Sequence, residues 1–260
     1  NGFSCFAKPA AIRKLAKRAD VSYVYLDRFA RPLKPPLPMS ENQTTAMKEV
    51  LATWKKKATE SSKAVKISWN VREIGAVRAW NEENATGRGV TVAVIDSGIL
   101  PTPSLIRALA KNPKESLNGK DDDGNGLVDD VFGYDFMTNM GYVLENGRTM
   151  SHGSCCAGII AGRTSASGWQ TAIAPDSRLL LLKGGFDLRS MEYLLTHGAD
   201  LVSMSYMIVG RDLGQIRGLF RNAFEHLSLG GVLAVGGAGN YGPKSRRAMP
   251  EGKQIGLPKD

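Results

Sequence analysis

Cysteine is scarce in this chain, and long apolar runs are absent from it. The 260 residues include three cysteines, of which Cys155 and Cys156 are adjacent. So few thiols cannot form the disulfide framework of a small secreted domain. No apolar run approaches the roughly 20 residues that a membrane-spanning helix needs. The sequence starts at Asn1 without an initiator methionine or a signal peptide, so we expect it to be a fragment of a longer protein.

Excess positive charge is confined to the N-terminal third of the chain. Residues 1–80 contain 16 Lys and Arg against 6 Asp and Glu, whereas residues 81–260 contain 18 against 19. A basic segment can bind nucleic acid. However, Lys55, Lys56 and Lys57 lie in a helical stretch with few aromatic residues, which favours a solvated helix face. We therefore expect neither a nucleic-acid partner nor a membrane span.

Apolar strands and helical segments alternate through the C-terminal two thirds of the chain. A chain of this length can bury a full core. The alternation predicts an α/β fold with a doubly wound, mostly parallel sheet. The predicted strands are 90–95, 179–182, 201–204 and 232–235, and the predicted helices are 103–110, 152–161, 188–197 and 213–229.

The N-terminal segments have a different character. Residues 9–18 predict a helix and residues 21–26 a short strand. Residues 28–43 contain four prolines without periodicity, which is typical of a linker. Residues 44–60 are polar and prone to form a helix that we expect to be exposed, and the large apolar residues of 69–80 recur at helical spacing.

Asp96 directly follows a strand that is rich in β-branched residues. A carboxylate at the end of a buried strand is costly unless its charge is used, and the carboxyl edge of an open α/β sheet is where catalytic groups gather. Gly98 allows the backbone to turn sharply after the acid. The alternative is a strand that ends in a structural Asx-turn.

His152 and Asn240 have the chemistry that would complete a catalytic group around this acid. His152 begins a helix of small residues, and a catalytic triad needs an imidazole with an acid on one ring nitrogen and a hydroxyl on the other. Asn240 follows a glycine-rich stretch after strand 232–235, and an Asn amide can donate to a developing oxyanion. A structural histidine and a Gly-Asn turn are the alternatives.

Taken together, these stretches resemble the subtilisin-like serine proteases, the subtilase family. Asp96 and His152 occur in the order of the family's triad. The resemblance covers about residues 66–260. The segments that match the family are Val94–Gly98 for the Asp motif, His152–Ser154 with Ala157–Gly162 for the His motif, Ala174–Pro175 and Ser203–Ser205 for the substrate-lining region, and Ala238–Asn240 for the oxyanion motif.

The resemblance implies a serine endopeptidase that acts on polypeptides through an acyl-enzyme and needs no cofactor for its chemistry. Asp96 would orient and stabilise His152, the general base, and Asn240 would be the oxyanion donor. The implied substrate-binding residues are Ser203, Ser205 and Gly237.

The resemblance also implies a domain organisation. Residues 1–27 would be the C-terminal part of a small α+β inhibitory propeptide, and residues 28–65 a linker that is proline-rich and then helical. Residues 66–260 would be a catalytic domain that ends before the nucleophile. The protein would be a zymogen with its own propeptide as a partner, and it would be secreted or located in the cell envelope.

Two departures from the family leave alternatives open. The nucleophile motif Gly-Thr-Ser-x-Ala is absent, and Ser165 follows the His helix too closely to replace it. Tyr206, Met207 and Ile208 stand where the family has small residues, so bulk could block the substrate pocket. The protein could therefore be an inactive pseudoprotease that binds peptides. A phospho-receiver domain that uses Asp96 fits poorly, because it leaves His152 without a task.

An acidic run between residues 121 and 130 predicts a calcium site. Clustered carboxylates repel one another unless a hard cation with oxygen ligands neutralises them. The run imitates the start of an EF-hand loop with Asp121, Asp123 and Asn125 as ligands, although Phe132 stands where the bidentate Glu should be. A solvated turn is the alternative. Separately, Cys156 should lie beneath His152 on the same helix face, as a small buried thiol rather than a nucleophile.

Overall fold

A parallel five-stranded sheet forms the centre of the structure, a computed structural model that describes residues 8–21, 24, 35–56, 65–145, 151–184, 187–206, 217–237 and 239. The strands within these ranges are β1 (Lys66–Ile67), β2 (Thr91–Asp96), β3 (Gly133–Asp135), β4 (Trp169–Gln170), β5 (Arg178–Lys183), β6 (Leu201–Met204) and β7 (Leu233–Gly236). The sheet has the order β3-β5-β2-β6-β7, and β1 pairs with β4 in a separate parallel ladder.

Helices precede, connect and follow these strands, and several of them cover the two faces of the sheet. In the described ranges they are α1 (Pro9–Leu15), α2 (Glu41–Lys55), α3 (Trp69–Glu73), α4 (Ala76–Glu83), α5 (Pro103–Ile106), α6 (His152–Ala161), α7 (Leu188–Thr196) and α8 (Arg217–Leu229).

Strand β2 lies at the centre of the sheet because its apolar residues suit burial on both faces. Val92 to Ile95 are all buried. Parallel pairing places Asp96 opposite Lys183 of β5 and Val94 opposite Ser203 of β6. The carboxyl ends of β2, β6 and β7 therefore meet at one edge of the sheet, the edge at which open α/β sheets bind ligands.

Each face of the sheet has its own hydrophobic core. Val94 faces a core that includes residues of α5 and α6, whereas its neighbour Ile95 faces a core that includes residues of α7 and α8. This alternation follows from the pleat of a β-strand. Because helices pack on both faces of a parallel sheet, the predicted doubly wound α/β fold is confirmed.

Most central elements lie close to their predicted bounds, and α6 begins at His152 as expected. The helix predicted over 69–80 is instead two helices, α3 and α4, because Gly75 between them adopts a left-handed φ of +75°. Strand β3 was missed because three residues are too few for a hydrophobic pattern. Its Gly133 lies so close to the carbonyl of Leu181 that a side chain there would collide with it.

Helix α2 packs on the core, so the prediction that this segment is exposed is wrong. Met47 and Val50 are 1% and 2% exposed and join the core on the α6 face of the sheet. The Nε1 atom of Trp54 donates a hydrogen bond to the carbonyl oxygen of Leu109 at 2.9 Å. A capping box between Ser40 and Gln43 fixes the start of the helix. The sparse apolar residues of this polar helix are enough to dock one of its faces.

Several predictions concern residues that the structure does not describe. Most of the strand predicted over 21–26, the residues Met207 and Ile208, and the oxyanion candidate Asn240 lie outside the described ranges. Among the helices within those ranges, none combines the length and the apolar character needed to cross a bilayer.

Candidate active site

Asp96 and His152 form a hydrogen-bonded pair at the carboxyl edge of the sheet. The Nδ1 atom of His152 lies 2.9 Å from Oδ1 and 2.8 Å from Oδ2 of Asp96. The side chain of Asp96 is 8% exposed and that of His152 is 62% exposed. The carboxylate is therefore held within the protein, while the ring extends into solvent, where it can meet a substrate.

The turn after β2 fixes the orientation of the Asp96 carboxylate. The backbone amide of Ser97 donates to Oδ1 at 2.8 Å, and the Ser97 hydroxyl lies 3.2 Å from the same oxygen. The Ser97 hydroxyl also accepts a hydrogen bond from the amide of Gly153 at 3.1 Å. Ser97 thus connects the acid to the first turn of α6. The sequence motif includes Ser97, but this bridging role could not be read from it.

Small residues let α6 approach β2 closely enough for the pair to form. A Cβ atom on Gly153 would lie 2.2 Å from the carbonyl oxygen of Gly98. Gly98 itself has a φ of +99°, and a Cβ atom there would lie 2.6 Å from the carbonyl oxygen of Val143. The Ser154 hydroxyl accepts a hydrogen bond from the amide of Leu100 at 2.7 Å. These contacts explain why small residues surround His152.

Cys156 lies one turn after His152 and beside its ring. Its Sγ atom is 3.8 Å from Nδ1 and 4.0 Å from Nε2 of His152. Burial raises the pKa of the Cys156 thiol, and a hydrogen bond with Ser205 acts in the opposite direction. The expected position on the His152 face is observed. The thiol is only partly buried, however.

The predicted substrate-binding residues lie on two neighbouring strands near the pair. Ser203 is on β6, opposite Val94 of β2. Ser205 and Gly237 are exposed at the carboxyl ends of β6 and β7, where the amide of Gly237 donates to the carbonyl of Met204 at 3.0 Å. The contact between Ser205 and Cys156 places this rim next to His152.

Three carboxylates converge at the acidic loop. Oxygen atoms of Glu115, Asp123 and Asp130 lie within 4.8 Å of one another, a spacing that could hold a metal ion. Of the predicted ligands, Asp123 belongs to this cluster. Asp121 instead accepts hydrogen bonds from the amides of residues 124, 125 and 126, so it shapes the turn. Asn125 donates its side-chain amide to Asp130 at 3.1 Å.

Glu115 is the member of this cluster that the sequence pattern did not reveal. It is 1% exposed, its Oε1 atom accepts hydrogen bonds from the amides of Asp122 and Asp123, and its Oε2 atom has no hydrogen-bond partner. Burial raises the pKa of the Glu115 carboxyl. A buried oxygen without a partner beside two further carboxylates suits a hard cation.

Uncharged amides and one histidine provide the other polar contacts of this cluster. The side-chain amide of Asn112 donates to Asp123 at 3.1 Å and to Asp130 at 3.3 Å. Nε2 of His197 lies 3.3 Å from Oδ2 of Asp130, and the His197 ring stacks on Tyr193. The nearby Lys111 ammonium instead donates to the backbone carbonyls of Asn112 and Glu115.

Comparisons with known proteins point to one family. The chain is 28% identical to subtilisin-like protease 1 of Plasmodium falciparum over 167 residues, which are 59% of this chain and 23% of that protein. It is 28% identical to the minor extracellular protease Epr of Bacillus subtilis over 184 residues, 67% of this chain and 23% of that one.

A crystal structure of MycP1 from Mycobacterium smegmatis is 24% identical, with a TM-score of 0.48, and the match covers 72% of this chain and 48% of that one. A sequence profile of the Subtilase family matches residues 87–259. This range includes strand β2, helix α6, the pair of Asp96 and His152, and the acidic cluster. The chain therefore belongs to the subtilase family.

Proposed function

We propose that this chain is part of a serine endopeptidase in which Asp96 and His152 are two members of the catalytic triad. The observation that carries the proposal is the 2.8 Å contact between Nδ1 of His152 and the carboxylate of Asp96. Membership of the subtilase family supports it. The chain spans about a quarter of the length of the curated relatives named above, so the activity is proposed for the whole protein.

The geometry suits general-base catalysis. With its proton on Nδ1, donated to Asp96, the neutral ring carries a lone pair on Nε2. Nε2 would take the proton of a serine hydroxyl as the serine oxygen bonds to the carbonyl carbon of the substrate. The resulting imidazolium would be stabilised by Asp96 and would pass its proton to the leaving amine, which gives an acyl-enzyme that water hydrolyses.

Residues on the neighbouring strands would bind the substrate. The exposed rim at Ser205 and Gly237, with Ser203 behind it on β6, would bind an extended polypeptide next to His152. Asn240 would donate a hydrogen bond to the developing oxyanion. Substrates would therefore be peptide bonds within polypeptide chains.

Active-site labelling of the full-length protein tests this proposal. A fluorophosphonate probe reacts with activated serines, so the wild-type protein should be labelled. His152→Ala should abolish the labelling. His226→Ala is the matched control, because His226 is exposed on α8 and bonds to a backbone carbonyl of its own helix. A folded wild-type protein that remains unlabelled would favour the pseudoprotease alternative, and labelling that survives His152→Ala would refute the triad.

Calcium is the cation that best fits the acidic cluster, and we include a structural calcium site in the proposal. Glu115, Asp123 and Asp130 would be its protein ligands, because their oxygens converge and one of them is buried without a partner. A bound Ca²⁺ would neutralise the mutual repulsion of these carboxylates and hold the loop between α5 and β3. It has no role in the chemical step.

The proposal extends to maturation and location. Residues 1–27 would belong to a removable propeptide, residues 28–65 would connect it, and residues 66–260 would belong to the catalytic domain. Its location would be extracellular or in the cell envelope, as the name of Epr indicates for that relative. Mass spectrometry of the mature protein should find a new N-terminus between about residues 28 and 80, within or just after the linker-like segment. A mature chain that retains Asn1 would refute this maturation.

A further inference from the structure

A row of alternating charges lies along the carboxyl edge of the sheet. Asp135 of β3 pairs in register with Lys183 of β5, and Lys183 pairs in register with Asp96 of β2. Residues two positions apart on a strand face the same side of the sheet. Val94 and Leu181 belong to the core on the α6 face, so the residues two positions later, Asp96 and Lys183, also face α6. Lys183 therefore has a carboxylate on the neighbouring strand at each side.

The Lys183 ammonium group is held on the Asp135 side of this row. Its Nζ atom lies 3.0 Å from Oδ2 of Asp135. The same atom lies 3.5 Å from the carbonyl oxygens of Tyr142 and Leu144 and 5.7 Å from the centre of the Tyr142 ring. Among the hydrogen bonds and ion pairs between described residues, none joins Lys183 to Asp96. The ammonium group is therefore directed away from the acid of the proposed triad.

We propose that Asp135 is a positioning residue for the peptidase, which retains the Lys183 ammonium group so that the Asp96 carboxylate serves His152 alone. This inference rests on the proposed function of Asp96 and His152. A free ammonium group beside Asp96 would compete with the imidazole for the same carboxylate, because charge-assisted hydrogen bonds are stronger than neutral ones. An imidazole without its carboxylate loses the tautomer and the orientation that general-base catalysis needs.

The Lys183 side chain is long enough to reach Asp96 once Asp135 releases it. Neighbouring strands lie about 4.8 Å apart, and a lysine ammonium sits on a flexible four-carbon stem. This stem already runs beside the turn after β2, since a Cβ atom on Gly98 would lie 3.1 Å from Cδ of Lys183. The side chains of Asp96 and Lys183 are 8% and 21% exposed, so solvent and salt would screen their attraction only weakly.

Asp135 can lose its charge while it keeps the turn that follows it. Its Oδ1 atom accepts hydrogen bonds from the amides of Met137 at 2.9 Å and Thr138 at 3.0 Å, and its Oδ2 atom pairs with Lys183. An asparagine at this position retains the first oxygen as an acceptor and places an NH2 group where Oδ2 lies. Two donors would then face each other, so Asp135→Asn should release the Lys183 ammonium group towards Asp96.

Kinetics of full-length variants separate positioning from a purely structural role. Asp135→Asn should lower kcat by at least about tenfold and leave KM within about twofold of wild type, because Lys183 competes for Asp96 and not for substrate. The double variant Asp135→Asn/Lys183→Met should recover kcat to within about threefold of wild type, because the competing charge is gone. Asp176→Asn is the control, since it removes an ion pair with Arg88 just before β5, at the opposite edge of the sheet, and should leave kcat unchanged.

Lys183→Met keeps the proposal testable if Asp135→Asn does not fold. It leaves the buried Asp135 carboxylate without its cation, so it should lower the melting temperature. Its kcat per folded molecule should nevertheless stay within about threefold of wild type, because no cation is released towards Asp96. A much larger loss of kcat would mean that Lys183 itself supports the site, which would overturn the proposal.

Two further outcomes count against the positioning role. One is an unchanged kcat in folded Asp135→Asn, and the other is a loss of kcat that the double variant does not recover, since general damage to the fold would persist there. A crystal structure of Asp135→Asn gives a readout that does not depend on activity. It should show Nζ of Lys183 within hydrogen-bond distance of Asp96, and an ammonium group that stays in place would overturn the proposal. A wild-type protein without peptidase activity whose variant shows the new contact would refute the proposed function and leave the competition of charges intact.

Discussion

Gly153 packs against the carbonyl oxygen of Gly98 with no room for a side chain. A Cβ atom built on Gly153 would lie 2.2 Å from that oxygen, 3.1 Å from Oγ of Ser97 and 3.2 Å from Oδ1 of Asp96. The obstacle is backbone at a turn with positive φ, so it cannot move aside at low cost. The close approach of Gly153 to Gly98 therefore sets the distance between Asp96 at the end of β2 and His152 at the start of α6.

Gly153→Ala should therefore both destabilise the protein and weaken catalysis. Overpacking against backbone costs about 1–3 kcal/mol, and a displaced α6 moves His152 away from Asp96. Gly158→Ala in the same helix is the control, because a Cβ atom there meets nothing within 4 Å. It should leave activity unchanged and raise stability by about 0.5–1 kcal/mol. Urea unfolding and peptidase assays of both variants measure this, and equal behaviour of the two would contradict the packing argument.

Asp96→Asn should reduce turnover by about 10⁴-fold if Asp96 orients the imidazole. The NH2 group of the asparagine can donate a hydrogen bond to Nδ1, which favours the wrong ring tautomer, with the proton on Nε2. Asp176→Asn is the control, because Asp176 is partly exposed and lies 3.6 Å from Arg88, away from the site. Measured kcat values for the two variants test whether Asp96 orients the imidazole. A turnover that Asp96→Asn leaves intact would be incompatible with the proposed role.

Glu115→Gln should remove calcium binding and the stability that calcium confers. The wild-type protein should gain about 2.7 kcal/mol at a calcium concentration 100 times its Kd, whereas the variant should gain almost nothing. In EDTA the variant should be at least as stable as wild type at neutral pH. Burial disfavours the ionised Glu115 carboxylate, as its raised pKa indicates, and the amide carries no charge.

Calorimetry and thermal unfolding, with and without calcium, measure these effects. The exposed Glu192 on α7 provides the control variant Glu192→Gln, which should bind calcium normally. Unchanged calcium affinity in Glu115→Gln would return the ligand set to Asp121, Asp123 and Asn125. Absence of calcium binding in the wild-type protein would favour the solvated-turn interpretation.

Met47→Ala should destabilise the protein by about 2–5 kcal/mol, the usual cost of emptying a buried methionine site. Met47 is 1% exposed and belongs to the core on the α6 face. The neighbouring Lys48 is exposed, so Lys48→Ala should change the free energy of unfolding by less than about 0.5 kcal/mol. Urea denaturation of the full-length protein compares them. A silent Met47→Ala would mean that α2 does not dock on the core in solution.

Elements with strong local patterns could be predicted from the sequence. The continuous apolar run of β2 and the small-residue stretch of α6 each carry enough information to predict a strand and a helix with nearly correct bounds. The order of Asp96 and His152 in two recognisable motifs also predicted that they would meet. The structure places them within hydrogen-bond distance.

Local sequence patterns were insufficient to predict features of the fold that depend on packing between distant parts of the chain. The docking of α2 depends on Met47 and Val50 meeting residues near Leu109, far along the chain, and a mostly polar helix gives little sign of this. The break at Gly75 similarly depends on the path between α3 and α4, because glycine within a helical pattern is compatible with either a continuous or a broken helix.

The sequence by itself determined the alternation of strands and helices, the motifs that contain Asp96 and His152, and the presence of an acidic loop, since each depends on neighbours in the chain. The tertiary structure decided which carboxylates converge. Glu115 and Asp130 are 15 positions apart, and they meet Asp123 because the loop folds back between α5 and β3. Whether these carboxylates come together depends on the path of the loop backbone and on which polar groups that path buries. A linear run of acids does not encode that path.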